Sequence, residues 1–328
     1  MKKQSPLLTV LSLLLSLLVV SCYNKPGEGI PLPGNPAHTE RNVAYGSDPL
    51  QKMDVYFPEN YTTETPVVFF FHGGGFVEGD KDGYAAPCSL FLEEKFIVVN
   101  TNYRLMDSTG LHANPVGHRV SQIKLYDAVV DARAAVNKFK ALAGEWKAGT
   151  GKMYMAGHSA GAILSLLFLH DKTQNPAGDI RAVANYGGTS DLTLPPGNMQ
   201  DYLDPYLNPQ QAAYLKELYF RWTGKEMVPE NELAYMAISP YWVTYNWIQS
   251  QQKTGRPVLS VMPQFNDPFP LTSPISSMRN VQNYHAYLTS QKVPNQLIVI
   301  NGENHGWGVK PDSWSTTVQA TAAFFRQH

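Results

Sequence analysis

The segment GHSAG at positions 157–161 places a serine between two glycines. A serine hydroxyl is a weak nucleophile, and enzymes activate it by presenting it on a strained turn beside a base. Flanking glycines allow such a turn between a strand and a helix. A strand-like run precedes this segment and an apolar, helix-like run follows it. The pattern therefore predicts that Ser159 is a nucleophile, although G-x-S-x-G alone also occurs in incidental turns.

A second glycine cluster, HGGGF at positions 72–76, follows the apolar run VVFFF. Where side chains are absent, backbone N–H groups can approach an oxyanion that develops during acyl transfer. We expect the amides of Gly73 and Gly74 to form an oxyanion hole, together with the amide of Ala160 after the nucleophile. His72 is expected to hold this loop by a hydrogen bond.

A base should follow the nucleophile in the chain order serine, acid, histidine. His305 lies in the loop NGENHGW at positions 301–307, directly after an apolar run. Loops at the carboxyl ends of parallel strands can reach a shared site, so we predict that His305 is the base. The other histidines that we considered precede the nucleophile, lie in helix-like segments or end the chain: His112, His118, His170, His285 and His328.

The third catalytic group should be an acid that orients the histidine and stabilises its charged form. Asp267 follows the apolar run at 258–262 and lies 38 residues before His305. We predict that it is this acid. Asp191 and Glu303 are the alternatives, and Asp191 fits better as a turn or cap residue.

These residues need a scaffold, and the chain alternates short apolar runs with helix-like segments. This rhythm predicts an α/β fold with a mostly parallel sheet and helices on both faces. Strands are expected at 67–71, 96–100, 152–156, 182–186, 258–262 and 297–300, and helices at 84–95, 120–142, 162–170 and 315–327. On the helix at 120–142, Asp127 and Asp131 are expected to be solvated or to pair with Lys124 and Arg133.

Residues 193–253 interrupt this rhythm, since they are rich in Tyr and Trp and contain helix-like pieces at 209–222 and 230–236. Such an insertion could be a cap that borders the mouth of the site, or it could pack over an edge of the sheet. The sequence leaves both interpretations open.

The first 22 residues combine Lys2 and Lys3 with an apolar run at 7–20, which is typical of an export signal. The run ends at Cys22 in a segment that resembles a bacterial lipobox, although an ordinary cleaved signal peptide is the alternative. A lipidated Cys22 would hold the protein to a membrane, on the periplasmic side or at the cell surface. Residues 23–40 are expected to form a flexible tether and residues 41–328 the catalytic domain.

Composition excludes several other classes of function. The 26 basic and 27 acidic side chains nearly cancel, so nucleic acid is not an expected partner. No cluster has metal-ligand spacing and no glycine loop precedes a lysine, so cofactor-free chemistry is expected. Apart from Cys22 the only cysteine is Cys88, which is expected to be a buried apolar residue.

Together these motifs resemble the HGGG-type esterase and lipase branch of the α/β-hydrolase superfamily. The likeness is strongest to bacterial esterases related to carbohydrate and feruloyl esterases, and it extends to prolyl-oligopeptidase-like domains and arylformamidases. It rests on MDVYFP at 53–58, HGGGF at 72–76, NYRL at 102–105, the Ser159 turn, Ser239-Pro240, Asp267 and His305. One departure is Pro263-Gln264, where relatives usually have a His-Gly pair.

The resemblance implies two-step hydrolysis of a carboxylic ester through an acyl-enzyme. With an aromatic insertion and a membrane anchor, removal of acetyl or feruloyl groups from plant polysaccharide fragments is the favoured function. One alternative is an exopeptidase or amidase that uses the same triad, because fold likeness does not select between esters and amides. Another is a non-catalytic lipoprotein that binds glycans.

Overall fold

A computed structural model of the chain describes residues 34–193, 208–251, 255–266 and 274–328. Within them, eight strands form one sheet in the spatial order β1-β2-β4-β3-β5-β6-β7-β8. The strands are β1 His38–Ala44, β2 Lys52–Phe57, β3 Val67–Phe71, β4 Ile97–Thr101, β5 Met153–His158, β6 Ile180–Tyr186, β7 Val258–Phe265 and β8 Asn295–Asn304. β2 pairs antiparallel with β1 and β4, and the other neighbours pair parallel.

The central strand β3 shows why the sheet is covered on both faces. All five of its residues are buried. Val67, Phe69 and Phe71 pack into one hydrophobic cluster, whereas Val68 and Phe70 pack into another. Successive side chains of a strand point to opposite faces, so an unbroken apolar strand needs a cover on each side. The predicted α/β fold with a mostly parallel sheet is confirmed.

Eight α-helices accompany the strands in the described part of the chain, and two short 3-10 turns lie at Lys81–Tyr84 and Pro229–Asn231. The helices are α1 Ala85–Glu93, α2 Leu125–Leu142, α3 Ala160–His170, α4 Pro209–Thr223, α5 Glu232–Met236, α6 Pro240–Gln251, α7 Pro274–Ser290 and α8 Ser313–Gln327. The helix predicted at 120–142 begins five residues later than expected, at Leu125.

The two acids of α2 have different environments. Asp127 accepts the Lys124 backbone N–H at 2.7 Å and so caps the start of the helix. Asp131 is buried and pairs with Arg104 at 2.7 Å. The expectation that Asp131 is solvated or pairs with Arg133 was wrong, because its side of α2 lies against the loop that follows β4.

The folded domain begins earlier than the predicted residue 41. The compact unit starts at Asn35, whose backbone N–H donates to the Tyr61 carbonyl at 3.1 Å, and β1 starts at His38. The last residues assigned to the tether are therefore part of the sheet. The predicted signal segment and Cys22 lie outside the described residues. Among the residues that are described, no helix is long and apolar enough to cross a membrane.

Candidate active site

The GHSAG segment forms a tight turn between β5 and α3. Ser159 has φ 53° and ψ −115°, a conformation that costs a non-glycine residue about 1–3 kcal/mol and persists only where the surroundings impose it. The flanking glycines permit the close backbone packing of this turn, because any larger residue would clash there. A Cβ added at Gly157 would lie 2.3 Å from the Gly161 carbonyl oxygen, and one added at Gly161 would lie 2.2 Å from the Phe71 carbonyl oxygen. Ser159 is half-buried at the top of this turn.

The HGGGF loop packs directly against the serine. A Cβ added at Gly73 would lie 3.1 Å from the Ser159 Cβ. Gly74 has φ 115°, and a Cβ there would lie 2.1 Å from the Glu78 carbonyl oxygen. Ala160 is the first residue of α3, where backbone N–H groups lack intrahelical acceptors. The structure thus brings together the segments that were predicted to form the oxyanion hole.

The Gly73 amide already has a hydrogen-bond partner. Its N–H donates to the Tyr84 hydroxyl oxygen at 2.9 Å. This amide could donate to an oxyanion only if that bond yields, so its assignment to the oxyanion hole stays a prediction, as do those of Gly74 and Ala160. Sequence reasoning missed Tyr84, because the tyrosine lies outside the glycine cluster and carries no motif.

His72 braces the HGGGF loop, residues 72–76, which is named the oxyanion loop after its predicted role. Its Nδ1 lies 2.7 Å from the Gly73 carbonyl oxygen, and since a carbonyl only accepts, Nδ1 carries the proton. Its ring stacks on Tyr103 with 4.3 Å between centroids, and the Tyr103 hydroxyl donates to the His72 carbonyl oxygen. Burial lowers the pKa of His72, which keeps the ring neutral. The side chain therefore holds the loop in the way that the sequence analysis expected.

His305 follows β8, and its environment suits a base. Its Nδ1 lies 2.7 Å from the Asn266 Oδ1, while the Asn266 Nδ2 donates to the Gly187 carbonyl oxygen. The amide oxygen therefore faces the imidazole, so Nδ1 donates and Nε2 keeps its lone pair. Burial, aided by the nearby His158, lowers the pKa of His305 well below its ordinary value. The neutral ring can accept a proton.

The predicted acid, Asp267, lies outside the described residues. The residue immediately before it, Asn266, contacts His305 Nδ1 through its amide oxygen. Sequence reasoning missed Asn266, because an amide is not a general acid or base and was not among the residue types considered.

The two alternative acids bind other groups. Asp191 accepts the Ser239 hydroxyl at 2.8 Å and the Thr193 backbone N–H at 3.0 Å. Glu303 is buried, which raises its pKa, but hydrogen bonds led by the one from Ser313 hold the pKa below its ordinary value. Both carboxylates brace their own loops, so neither replaces Asp267 as the predicted acid.

The insertion at 193–253 reaches the oxyanion loop through α4. The indole Nε1 of Trp222 donates to the Gly75 carbonyl oxygen at 2.9 Å. Its ring meets Phe76 edge to face, with 6.0 Å between centroids. Of the two interpretations of the insertion, this contact fits a cap that borders the site.

Among the described residues there is neither a metal-binding cluster nor a reactive cysteine. In the described part of the chain, no three His, Cys, Asp or Glu side chains are grouped so that they could hold a metal ion. Cys88 is buried, and burial raises the pKa of its thiol, which makes it unreactive.

Comparison with known proteins gives the chain a family. The BD-FAE family model matches residues 53–244, which is more than half of the chain. A probable isoprenylcysteine alpha-carbonyl methylesterase of Arabidopsis thaliana is 25% identical over 142 residues, covering 43% of this chain and 27% of the relative. A kynurenine formamidase of Salmo salar is 26% identical over 202 residues, covering 60% of this chain and 59% of the relative. The chain thus spans about a quarter and about three fifths of these two curated relatives.

Solved structures share the fold. A truncated carbohydrate esterase from gut microbiota superposes with a TM-score of 0.64 at 15% identity, covering 90% of this chain and 99% of that one. At this identity the likeness concerns the fold alone. Because the family match spans the oxyanion loop, the Ser159 turn and α4, the chain belongs to the BD-FAE family of α/β-hydrolase esterases.

Proposed function

We propose that this protein is a serine esterase that hydrolyses carboxylic esters through an acyl-enzyme on Ser159. The observation that carries the proposal is the strained Ser159 turn, which Gly157 and Gly161 permit and which packs against the HGGGF loop. Strain of this kind is retained where it serves a mechanism. It presents the hydroxyl beside backbone amides, which is the arrangement that acyl transfer needs.

In the proposed mechanism, His305 Nε2 takes the proton of Ser159 as the hydroxyl attacks the ester carbonyl. Asn266 holds the Nδ1–H tautomer that leaves Nε2 free. Asp267 is the group proposed to stabilise the imidazolium. The protonated histidine then donates to the leaving alcohol, and water, activated by the same histidine, releases the acid from Ser159.

The proposed substrates are acetyl or feruloyl esters of plant polysaccharide fragments. An aromatic cluster on α6 and α7 supports this, because aromatic rings can stack on sugars or on a feruloyl ring. In it Trp242 lies 5.6 Å from Tyr245, and Tyr241 lies 5.2 Å from Tyr287, between ring centroids. All four side chains are at least partly exposed.

The first experiment compares Ser159→Ala with the wild-type protein on a short-chain acyl ester. Turnover should disappear while circular dichroism and the melting temperature show an intact fold. Ser290→Ala, an exposed serine at the end of α7, is the matched control and should keep full activity. Unchanged turnover in Ser159→Ala would refute the proposed nucleophile.

A substrate screen then tests the finer proposal. Acetylated and feruloylated xylan fragments should be turned over with a higher kcat/KM than simple acyl esters of the same acids. Equal or lower values for every carbohydrate ester would contradict the proposed substrate class. Binding of these fragments without turnover by the wild-type protein would favour the glycan-binding alternative.

Amide hydrolysis is the second candidate, and similarity to a kynurenine formamidase favours it. The same triad and oxyanion hole can cleave an amide. An aryl formamide and an aminoacyl-proline amide should therefore be assayed beside the acyl ester. A kcat/KM for either amide above that for the ester would replace the esterase proposal.

We also propose that Cys22 is lipidated and holds the protein at a membrane. Expression in a bacterium with radiolabelled palmitate should label the wild-type protein and not Cys22→Ser. A labelled Cys22→Ser protein, or an unlabelled wild type, would contradict the anchor.

A further inference from the structure

We infer that Tyr84 and His158 are positioning residues, which hold the oxyanion loop and the His305 loop in register by one chain of hydrogen bonds. This inference rests on the proposed esterase function. It assigns roles to two residues that do not belong to the predicted triad or oxyanion hole.

The chain has three hydrogen bonds. The Gly73 backbone N–H lies 2.9 Å from the Tyr84 hydroxyl oxygen. That hydroxyl lies 2.7 Å from His158 Nδ1. On the other side of the ring, His158 Nε2 lies 2.7 Å from the His305 carbonyl oxygen. The three bonds thus connect the end of β3 to the loop after β8.

With a neutral His158 ring, only one arrangement of protons satisfies all three bonds. The His305 carbonyl can only accept, so His158 Nε2 must carry a proton and donate it. In a neutral ring Nδ1 then accepts, so the Tyr84 O–H points at His158. The Tyr84 oxygen keeps its lone pairs and accepts the Gly73 N–H. Every donor in the chain meets an acceptor.

The environment fixes this neutral form. His158 is buried, and burial lowers its pKa to about 4. Its ring lies 5.8 Å from Tyr84, 4.8 Å from His305 and 5.5 Å from Trp307, between centroids. A doubly protonated ring could not accept the Tyr84 hydroxyl and would reverse the direction of that bond. At neutral pH the donors of this hydrogen-bond chain therefore all point in one direction, from Gly73 towards His305.

The location of this chain gives it a catalytic consequence. His158 immediately precedes Ser159, so the chain of hydrogen bonds passes beside the nucleophile. It connects the loop that carries the proposed oxyanion donors to the loop that carries the proposed base. Displacements near 1 Å in an active site can lower the rate about 100-fold. Loss of either side chain should therefore lower the rate of the chemical step more than it weakens substrate binding.

Three substitutions each remove a different part of this hydrogen-bond chain. Tyr84→Phe removes the hydroxyl and keeps the ring. His158→Asn can present an acceptor near the Nδ1 position, and His158→Gln can present a donor near the Nε2 position. Tyr61→Phe is the control, because it removes a buried hydroxyl that donates to the Trp146 carbonyl, and these two residues precede the amino ends of β3 and β5, opposite the edge of the sheet that carries Ser159.

In steady-state kinetics on the acyl ester, each substitution at Tyr84 or His158 should lower kcat about 10- to 100-fold and change KM less than about 3-fold. The double variant Tyr84→Phe/His158→Gln should lose no more than the worse single variant, since both act in one chain. Tyr61→Phe should keep kcat. Unchanged kcat in folded Tyr84→Phe, or losses that multiply in the double variant, would overturn the inference.

NMR of ¹⁵N-labelled histidine gives an independent measurement. In the wild-type protein at neutral pH, His158 should show the Nε2–H tautomer, and its Nδ1 shift should change in Tyr84→Phe. The Nδ1–H tautomer would overturn the inference even if one variant fails to fold.

Labelling of the wild type by a fluorophosphonate separates the proposed esterase function from the proposed positioning role. Without labelling the proposed function fails, whereas labelling with unaltered variant kinetics refutes only the positioning role.

Discussion

At the scale of single residues, the orientation of His305 is the feature that most directly decides the chemistry. Asn266 fixes which ring nitrogen carries the proton, because its own amide group is held by the Gly187 carbonyl. An amide oxygen selects the tautomer but carries no full negative charge. A carboxylate would in addition stabilise the imidazolium that forms during attack. Orientation and charge stabilisation can thus come from two adjacent residues.

This division of roles between Asn266 and Asp267 predicts that their substitution lowers kcat to different extents. Asp267→Asn should lower kcat by about 10³- to 10⁴-fold, as expected when the acid of a triad is lost. Asn266→Ala should cost less, about 10-fold, because the carboxylate proposed at Asp267 remains to hold the Nδ1–H tautomer and stabilise the imidazolium. Steady-state kinetics on an acyl ester would measure both. A larger loss in Asn266→Ala than in Asp267→Asn would show that Asn266, and not Asp267, is the principal partner of His305.

The sequence predicted Ser159 and His305 as candidates because each lies in a glycine-flanked segment after an apolar strand. It could not predict the roles of Tyr84 and His158, since their hydrogen bonds join residues 74 and 147 positions apart. Residue types alone can also suggest a false site. Ser260 and Asn295 each lie 2.8 Å from His285, which looks like a serine–histidine pair with an orienting group. Ser260 is buried inside the sheet, so a substrate could not reach its hydroxyl.

At the scale of elements, α4 is tied to the oxyanion loop through Trp222, and the sequence could not indicate this contact. It predicted a helix-like piece at 209–222, but the Gly75 carbonyl that Trp222 binds lies 147 residues away. The buried Arg221 binds the carbonyls of Asp107 and Gly117 and so fixes the same helix to another loop. The position of α4 therefore depends on contacts with distant loops.

Trp222→Phe tests this coupling. The ring contact with Phe76 can remain, but the Gly75 carbonyl loses its donor, so the loop should shift. We expect kcat to fall about 10-fold and the free energy of unfolding to fall by about 1 kcal/mol. Trp146→Phe, a buried tryptophan between Phe57 and Phe139, is the control and should leave kcat unchanged. Equal kcat values for wild type and Trp222→Phe would contradict the coupling.

The turn between β5 and α3 depends on close backbone approach, which the sequence did indicate. Gly161→Ala would place a Cβ 2.2 Å from the Phe71 carbonyl oxygen. Neither backbone can move without disturbing the sheet, so we expect a loss of about 1–3 kcal/mol in the free energy of unfolding. Gly144→Ala, where nothing lies within 4 Å of the added Cβ, should be neutral or stabilising. Denaturant unfolding would measure both, and equal stabilities would contradict the steric argument.

At the scale of the whole molecule, the fold buries several neutral histidines at once. Burial lowers the pKa of each of them, and the values for His158 and His170 are about 4 and about 3. The members of this set are His72, His158, His170, His285 and His305. The unfolded chain gains protons at these positions near pH 6.5, whereas the folded protein does not.

Stability should therefore fall on acidification. Above pH 6.5 these histidines are neutral in both states and contribute no pH dependence. Below it the unfolded state binds more protons, and each histidine can add a slope of up to about 1.4 kcal/mol per pH unit. His170→Gln removes one of these groups, so the free energy of unfolding should depend less steeply on pH between pH 6.5 and 4, by the slope that corresponds to at most one proton. Denaturant unfolding at a series of pH values would measure this slope. A profile of unchanged steepness would contradict this account.

The central claim is that Ser159 is an activated nucleophile on a strained turn. A fluorophosphonate probe followed by mass spectrometry of the digested protein tests it most directly, because the probe reacts with activated serines. The account predicts one adduct, located on Ser159, absent from Ser159→Ala and suppressed by a competing acyl ester. An adduct on another residue, or none on the folded wild-type protein, would contradict it.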